Sequence, residues 1–360
     1  MAGMPGHAGE GGLLEEIRRD LRIQRVDGTR VLASRGDRLF RSEDGGETWE
    51  EDGRAVVGGW RKHLAAVPLL KDIARAGISF VLPLPGGGNL WVVAGLMLRA
   101  EAGSLEYSMT MRFPKGSRPL NVCHSTEGSL YWGEYFLNLQ RKDPVDIYSS
   151  DDGGRTWRVA YTFPRGAVCH VHRVVHDPYD DAIWVCTGDR DEEAGIFRST
   201  DGLRTLRRIV GGRQMYRTNS LICRESCILY GTDNPSGDNF VMALDRCTSR
   251  VERIQALPGP VIHGCEINGK VVFSTMVEKQ NHEVTVWMGD ENGFSLLAHL
   301  DARKRNRAWR ELTGYPKVIL PEGKGEVPAL LLTPVGTKKF AGSLVRMRLD
   351  GGAPKGSDGP

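Results

Sequence analysis

Glu134, Asp189, His172 and Glu278 are the side chains best placed in this sequence to move a proton, and Arg118, Tyr135, Arg217, Asp233 and His263 those best placed to hold an anionic or hydroxylated ligand. The reason is position. Glu134 and Tyr135 come straight after the apolar run Ser129-Leu130-Tyr131-Trp132-Gly133, Asp189 after Ala182-Ile183-Trp184-Val185-Cys186-Thr187, Asp233 after Cys227-Ile228-Leu229-Tyr230-Gly231, and Glu278 after Lys270-Val271-Val272-Phe273-Ser274. One loop carboxylate is ordinarily just solvated; carboxylates, Arg and His recurring at corresponding positions of similar units form a pattern. Two such carboxylates can cleave a glycosidic bond, one as acid and the other as nucleophile or base. Glu134 and Asp189 are the expected pair, with Arg217 orienting an anionic group through bidentate contacts. His170 and His172 lie two apart, so on a strand they share a face, where they could bind a metal or act as the base of a lyase.

The elements that must position these residues are short β-strands. Blade-like sets of β-branched and aromatic runs separated by Asp, Gly and Pro recur along the chain, as in Val171-His172-Arg173-Val174-Val175, the run 182–187, Gly195-Ile196-Phe197-Arg198 and Thr205-Leu206-Arg207-Arg208-Ile209. Second strands with continuous apolar character fit burial on both faces. The 45 glycines, often paired between such runs, suit many tight turns.

An internal repeat sets the architecture. Ser42-Glu43-Asp44-Gly45-Gly46-Glu47-Thr48-Trp49 returns 108 positions later as Ser150-Asp151-Asp152-Gly153-Gly154-Arg155-Thr156-Trp157, and a decayed copy follows as Ser199-Thr200-Asp201-Gly202-Leu203-Arg204-Thr205-Leu206. With the Asp as a ruler, further decayed copies fall near Ala100 and at Asp245, Asp290 and Asp350, which predicts seven turns between third and fourth strands. The expected fold is therefore all-β: one seven-bladed propeller of four-stranded antiparallel blades over residues 13–350, between a disordered tail at 1–12 and a flexible tail at 351–360. The last blade lacks a fourth strand of its own. A closed propeller should not leave that edge open, and Leu13 to Arg19 is the segment that can fill it. Helical spacing of Leu13, Leu14, Ile17 and Leu21 is the competing reading.

The octapeptide matches the S-x-D-x-G-x-T-W pattern of the Asp-box, and the chain resembles the sialidase-like, BNR-repeat β-propellers. Phrases such as Gly133-Glu134-Tyr135-Phe136, His170-Val171-His172, Thr187-Gly188-Asp189 and Gly231-Thr232-Asp233 are similar to an uncharacterised bacterial BNR-repeat group. The resemblance implies that the boxes are structural and lie on the outer rim, with ligands at the channel mouth on the opposite face. It also implies that Trp49 and Trp157 pack between strands and are largely buried. Catalytic sialidases carry Arg-Ile-Pro on the first strand, two further Arg, an acid/base Asp and a Tyr-Glu pair. Here Arg22-Ile23-Gln24 stands at that strand with Gln in place of Pro, and Arg118 and Arg217 lie outside any matching motif.

Composition narrows the classes. A formal net charge of +3 argues against nucleic acid, no apolar stretch approaches the roughly 20 residues that span a bilayer, and no nucleotide loop or nucleophile elbow is present. The seven cysteines are odd in number and show no zinc-type CxxC, so reduced thiols, a cytoplasmic location, no metal and no cofactor are expected. The expected function is a glycoside hydrolase-like enzyme on an acidic or polyhydroxylated sugar, with a glycan or sugar acid as partner, no nucleic acid, no membrane, and room for a protein partner. The alternatives are a non-catalytic scaffold or glycan-binding module, and a polysaccharide lyase using His and Tyr.

Overall fold

The computed structural model describes residues 14–55, 77–104, 107–278, 282–303 and 314–349. The two expected tails, Leu13 and Asp350 lie outside the described residues. The described chain is an all-β propeller whose only helical element is a short 3-10 turn, Gln214–Tyr216.

Five four-stranded antiparallel sheets stand separately. Four of them are consecutive in sequence and occupy 78–112, 123–163, 171–211 and 220–257. The fifth is built from Lys317–Ile319, Ala329–Val335 and Leu344–Arg348, and it is completed by Leu14–Arg18, which pairs antiparallel with Leu344–Arg348. The segment near the N-terminus therefore closes the last sheet as a strand, and the helical alternative is set aside.

The count of seven separate blades needs correction. The strands of 22–54 and of 261–301, expected as two further blades, belong to a single nine-stranded sheet. The link is Glu322–Gly325, which runs parallel to Arg22–Gly28 on one side and to Val261–Ile267 on the other. Pro321 precedes this segment. It offers no N–H to continue the pairing of Lys317–Ile319 with Ala329–Val335, and beyond it the chain pairs with the inner strands of its two neighbours. No hydrophobic pattern marks this change, because Glu322, Gly323, Lys324 and Gly325 carry no apolar alternation.

Second strands form the deepest layer, as their composition predicts. Leu130–Gly133, Ala182–Thr187 and Cys227–Gly231 are buried at every position, and Trp91, Trp132, Tyr230 and Phe273 are the largest fully enclosed side chains. Fourth strands such as Arg158–Phe163 face solvent over most of their length.

The octapeptide turns join third to fourth strands. In the first, the Ser42 hydroxyl donates to Asp44 at 2.7 Å, the Gly46 amide donates to Ser42 Oγ at 2.8 Å, and the Thr48 hydroxyl donates to Asp44 at 2.6 Å. The same three bonds recur around Asp152 at 2.8, 2.8 and 2.6 Å, and around Asp201 at 2.9, 2.9 and 2.7 Å. Asp245 and Asp290 accept backbone amides at the corresponding turns of their sheets. Gly154 has φ +83°, and a Cβ there would come within 2.9 Å of Leu90. The third copy places Leu203 at this position, still at φ +69°, and encloses its side chain completely. Trp49 and Trp157 are half-buried rather than largely buried, packing on the edges of two core clusters.

Candidate functional site

The inner strands share an irregularity that aims side chains. Register shifts fall at Gln24, Ser79, His172 and Ile262, one near the start of each of four inner strands. A bulge of this kind leaves one residue unpaired and turns it out of the ladder. At His172 it brings the ring against His170, with Nε2 to Nε2 at 3.1 Å. The face-sharing expected from two-residue spacing is thus realised through a bulge rather than a regular strand.

Around this pair three consecutive sheets deliver a cluster. Tyr135, beyond the second strand of the sheet at 123–163, lies with its ring 4.2 Å from that of His170. Asp189, just after Ala182–Thr187, lies 3.7 Å from His170 Nε2 and 3.6 Å from His172 Nε2. Arg217, before Ser220–Cys223, reaches Asp189 at 3.3 Å and donates from Nε to Asp233 at 3.0 Å. Asn219 also donates to Asp233, at 2.7 Å. Cys169 completes the neighbourhood: its sulfur and one donor atom each of His170 and Asp189 lie within 4.8 Å of one another.

The loop carrying Asp189 is held rigidly. Asp189 itself sits at φ +96°, a conformation few non-glycine residues adopt. Beside it, a Cβ on Gly188 would meet both His172 and Arg217 at 2.7 Å, so only glycine lets these side chains approach. Thr187 donates to the Glu193 carbonyl at 2.6 Å, and the Glu193 carboxylate takes a buried fork from Arg141 at 2.5 and 2.8 Å and the Cys169 amide at 3.2 Å. Strain and close approach of this kind concentrate at functional sites.

Charge in the cluster is lopsided. Burial first, then the neighbouring charges, act on each group. Burial pushes His172 down to about 4 and lowers His170, so both rings are neutral near pH 7. Burial acts to raise the Asp189 carboxyl, but the His172 contact, His170 and Arg217 outweigh it and hold Asp189 well below the usual carboxylate range. Asp233 is raised by burial against the pull of Arg217. Tyr135 is raised by burial and by the nearby carboxylates of Asp189 and Asp233.

Glu134, His263, Arg118 and Glu278 are the remaining sequence-selected residues. Glu134 has no exposed surface. Its Oε2 accepts from Lys115 at 2.9 Å and from the Asp146 amide at 3.0 Å, while Oε1 is buried without a hydrogen-bond partner among the described residues. Its carbonyl accepts from the Val171 amide at 2.9 Å, between the two histidines, but its carboxylate is enclosed and does not face solvent as an acid/base partner of Asp189 would. His263 is half-buried on its inner strand, where desolvation and the charges of Lys317, Arg22, Arg173 and Arg118 depress its basicity strongly. Arg118 is half-buried and acts electrostatically on both Tyr135 and His263. Glu278 is half-buried at the end of its described segment. Sequence reasoning missed Cys169, Asn219 and Lys115. Cys169 adjoins His170 and could have been found by that adjacency; nothing in the sequence marks the other two.

On the other side of Arg173, the later residues of the inner strands line a cavity of about 450 Å³ whose walls include Arg25, Asp27, His176, Glu266 and Glu322. It is separate from the His–Asp cluster.

Comparison with known proteins places the fold and nothing finer. No family model and no curated protein sequence matches this chain. Solved structures do. An ancestral GH74 enzyme aligns with a TM-score of 0.52 at 14% identity over 83% of this chain, which spans 40% of that enzyme's length. YCF48 bound to D1 peptide aligns at 0.57 and 12% identity, over 96% of this chain and 99% of YCF48. The extracellular domain of BT4673 from B. thetaiotaomicron aligns at 0.54 and 13%, over 93% of this chain and 40% of that one. At such identities the likeness is one of β-propeller architecture, a scaffold that carries many functions.

Proposed function

We propose that this chain, a distant member of the sialidase-like propellers, binds an acidic, polyhydroxylated sugar at the entrance of its inner strands and opens the glycosidic bond by β-elimination. The observation that carries this reading is the Tyr135–His170–His172–Asp189–Arg217 cluster, drawn from three adjacent sheets. The repeated turns around Asp44, Asp152 and Asp201 support the family reading, and the GH74 neighbour makes a glycan a reasonable ligand class for this architecture.

The cluster suits elimination better than hydrolysis. Hydrolysis by two carboxylates needs both to face the sugar across a fixed gap. Here Glu134 is enclosed and tied to Lys115, Asp233 is enclosed and tied to Arg217 and Asn219, and of these three only Asp189, with 26% of its side chain exposed, meets solvent. Elimination instead removes the proton from the carbon next to the sugar carboxylate and forms a carbon–carbon double bond. The oxygen on the following carbon leaves and takes up a proton. Cationic groups must hold the carboxylate, which Arg217 and Arg118 supply, and proton-transfer groups must flank the carbon, which Tyr135 and the imidazole pair supply.

The test is to incubate the protein with uronate-containing polysaccharides and follow ultraviolet absorbance of the unsaturated product together with reducing ends. Both signals rising together supports elimination. Reducing ends without absorbance would return the hydrolase reading, and binding with neither signal would leave a glycan-binding module. A protein-binding scaffold is the second reading. One observation favours it: Leu137 is 80% exposed in the loop after Tyr135, close to the same mouth, with Leu139 also exposed. YCF48 shows that this architecture accommodates a peptide.

A further inference from the structure

We propose that His170 Nε2, His172 Nε2 and the Asp189 carboxylate form a three-ligand site for a divalent transition-metal ion of the zinc class. The edges of this triangle are 3.1 Å between the two nitrogens and 3.6 and 3.7 Å from the nitrogens to the carboxylate oxygens. Bonds of 2.0–2.2 Å at tetrahedral angles place neighbouring donors roughly 3.3–3.6 Å apart. The three donors are thus already at coordination spacing, and no large movement is needed to receive an ion.

The tautomers point the same way. His170 Nδ1 lies 3.0 Å from the Phe136 carbonyl oxygen. A carbonyl can only accept, so the ring proton sits on Nδ1 and the Nε2 lone pair faces the triangle. This is the outer-shell hydrogen bond that orients a metal-binding imidazole. Three acceptors then converge, the lone pair of His170 and the two oxygens of Asp189; Arg217 reaches one of those oxygens at 3.3 Å, and the single hydrogen available on His172 Nε2 cannot satisfy the other two acceptors together. A cation satisfies all three. All the ligands come from one hairpin, Val171–Asp177 with Ala182–Thr187, and the residues flanking it, so the site exists without domain closure.

The set leaves room for further ligands, as catalytic rather than structural sites do. Cys169 Sγ lies within 4.8 Å of one donor atom each of His170 and Asp189, and a soft ligand recruited from that side would favour zinc-class ions over magnesium or calcium. Local charge fits as well. Arg217 is shared between Asp189 and Asp233, so these three groups sum to −1 without the ion and +1 with it. The loaded site would attract an anionic sugar. That consequence rests on the function proposed above, whereas metal binding does not. With an ion in place His170 and His172 are ligands, and Tyr135 is the proton-transfer group that remains.

The experiment uses the full chain, purified without a polyhistidine tag and stripped with chelator. Zn2+ is titrated by calorimetry and retained metal is measured by elemental analysis, with circular dichroism confirming the fold of each variant. One ion per chain is expected. His172→Ala and Asp189→Asn should each weaken binding by roughly tenfold or more, while Cys247→Ser, at an exposed cysteine away from the site, should bind normally. Co2+ loading reports the fourth ligand: a thiolate charge-transfer band assigns it to Cys169, and a ligand-field spectrum without that band assigns it to solvent. No saturable binding of Zn2+, Co2+ or Mn2+ overturns the proposal, as does undiminished binding in folded His172→Ala and Asp189→Asn. If His172→Ala does not fold, His170→Gln with Asp189→Asn decides. Metal binding without elimination of any uronate polymer overturns only the functional reading, and elimination by a protein that binds no metal overturns only the metal site.

Discussion

Arg173 and Glu322 are separated by 149 residues and close on each other as a fork, Nη1 to Oε1 at 2.9 Å and Nη2 to Oε2 at 2.5 Å. Arg173 belongs to the inner strand Val171–Asp177, and Glu322 to the segment that fuses two four-stranded units into the nine-stranded sheet. The pair therefore clamps across the centre of the molecule. Breaking a buried pair by removing one partner costs about 3–5 kcal/mol, whereas replacing both with apolar residues is often neutral. Arg173→Ala should lose stability of that order in urea denaturation, and the double change Arg173→Met with Glu322→Leu should recover much of it. Loss under about 1 kcal/mol for the single variant would show that the clamp contributes little.

The strand Leu14–Arg18 makes the closure of the last sheet testable. It pairs with Leu344–Arg348, and Ser343 donates to Glu16 at 2.9 Å. Deleting residues 1–12 leaves this strand in place, and deleting 1–20 removes it. Half-burial of Leu14 and Ile17 alone is worth about 2–3 kcal/mol, and an unpaired edge strand invites association with other copies. The longer deletion should melt lower and aggregate on concentration, the shorter one should not. Equal melting temperatures would mean that the strand is not needed.

The two intact octapeptides differ in the bond made by the tryptophan. Trp49 Nε1 donates to the Gly46 carbonyl at 3.0 Å, whereas Trp157 Nε1 is buried with no acceptor among the described residues. Trp49→Phe should thus cost about 1 kcal/mol more than Trp157→Phe, the worth of one hydrogen bond. Half-burial sets the scale for Ala at either site below the roughly 3–5 kcal/mol of a core aromatic. Equal losses in the two Phe variants would show that the bond to Gly46 has no net value.

What the sequence made legible follows from the range of the interactions. The turns at Asp44, Asp152 and Asp201 close within a few residues, Ser to Asp to Thr, so the pattern is written locally and survives even where Leu203 replaces a glycine. Second strands are apolar throughout because both faces are covered, and that too is local. The merging of two units through Glu322–Gly325 depends on what lies beside a short polar segment after Pro321, which no periodicity records. The site divides the same way. His170, His172, Asp189, Arg217 and Asp233 share a strand-end position and were found together. Glu134 shares it too, yet Lys115, nineteen residues earlier, draws its carboxylate into the sheet instead.

Acid should act through the repeated turns. Burial acts to raise the Asp152 carboxyl, but the Thr156 hydroxyl and amide, the Ser150 hydroxyl and the Arg155 amide outweigh it and bring it from 3.8 down to about 2. In Asp44 the Thr48 hydroxyl and amide and the Ser42 hydroxyl hold the carboxyl well below its usual range. A carboxyl depressed on folding contributes stability that is fully present above its unfolded value and is lost as pH falls through its folded value. For Asp152 the window therefore runs from 3.8 down to about 2. Asp152→Asn should flatten the melting temperature against pH within that window and change it by a constant amount above it. An unchanged slope would show that these carboxylates are not depressed by folding.

Tyr135 and Glu134 are neighbours in sequence with opposite expected roles. Tyr135 is half-buried, with its ring against His170, where it can touch a ligand. Glu134 has 0% exposure and is bonded to Lys115 and to backbone. Once an active acidic glycan is in hand, Tyr135→Phe should lose about 10²–10⁴-fold in kcat, the usual share of a proton-transfer group, with its melting curve unchanged. Glu134→Gln should do the reverse. Burial raises the Glu134 carboxyl against the opposing Asp146 amide and Lys115, and the amide substitution alters a packed contact that no substrate reaches. Its melting temperature should shift while kcat stays within a few-fold of wild type. A folded Glu134→Gln protein without activity would return this residue to the reacting centre and with it the two-carboxylate mechanism.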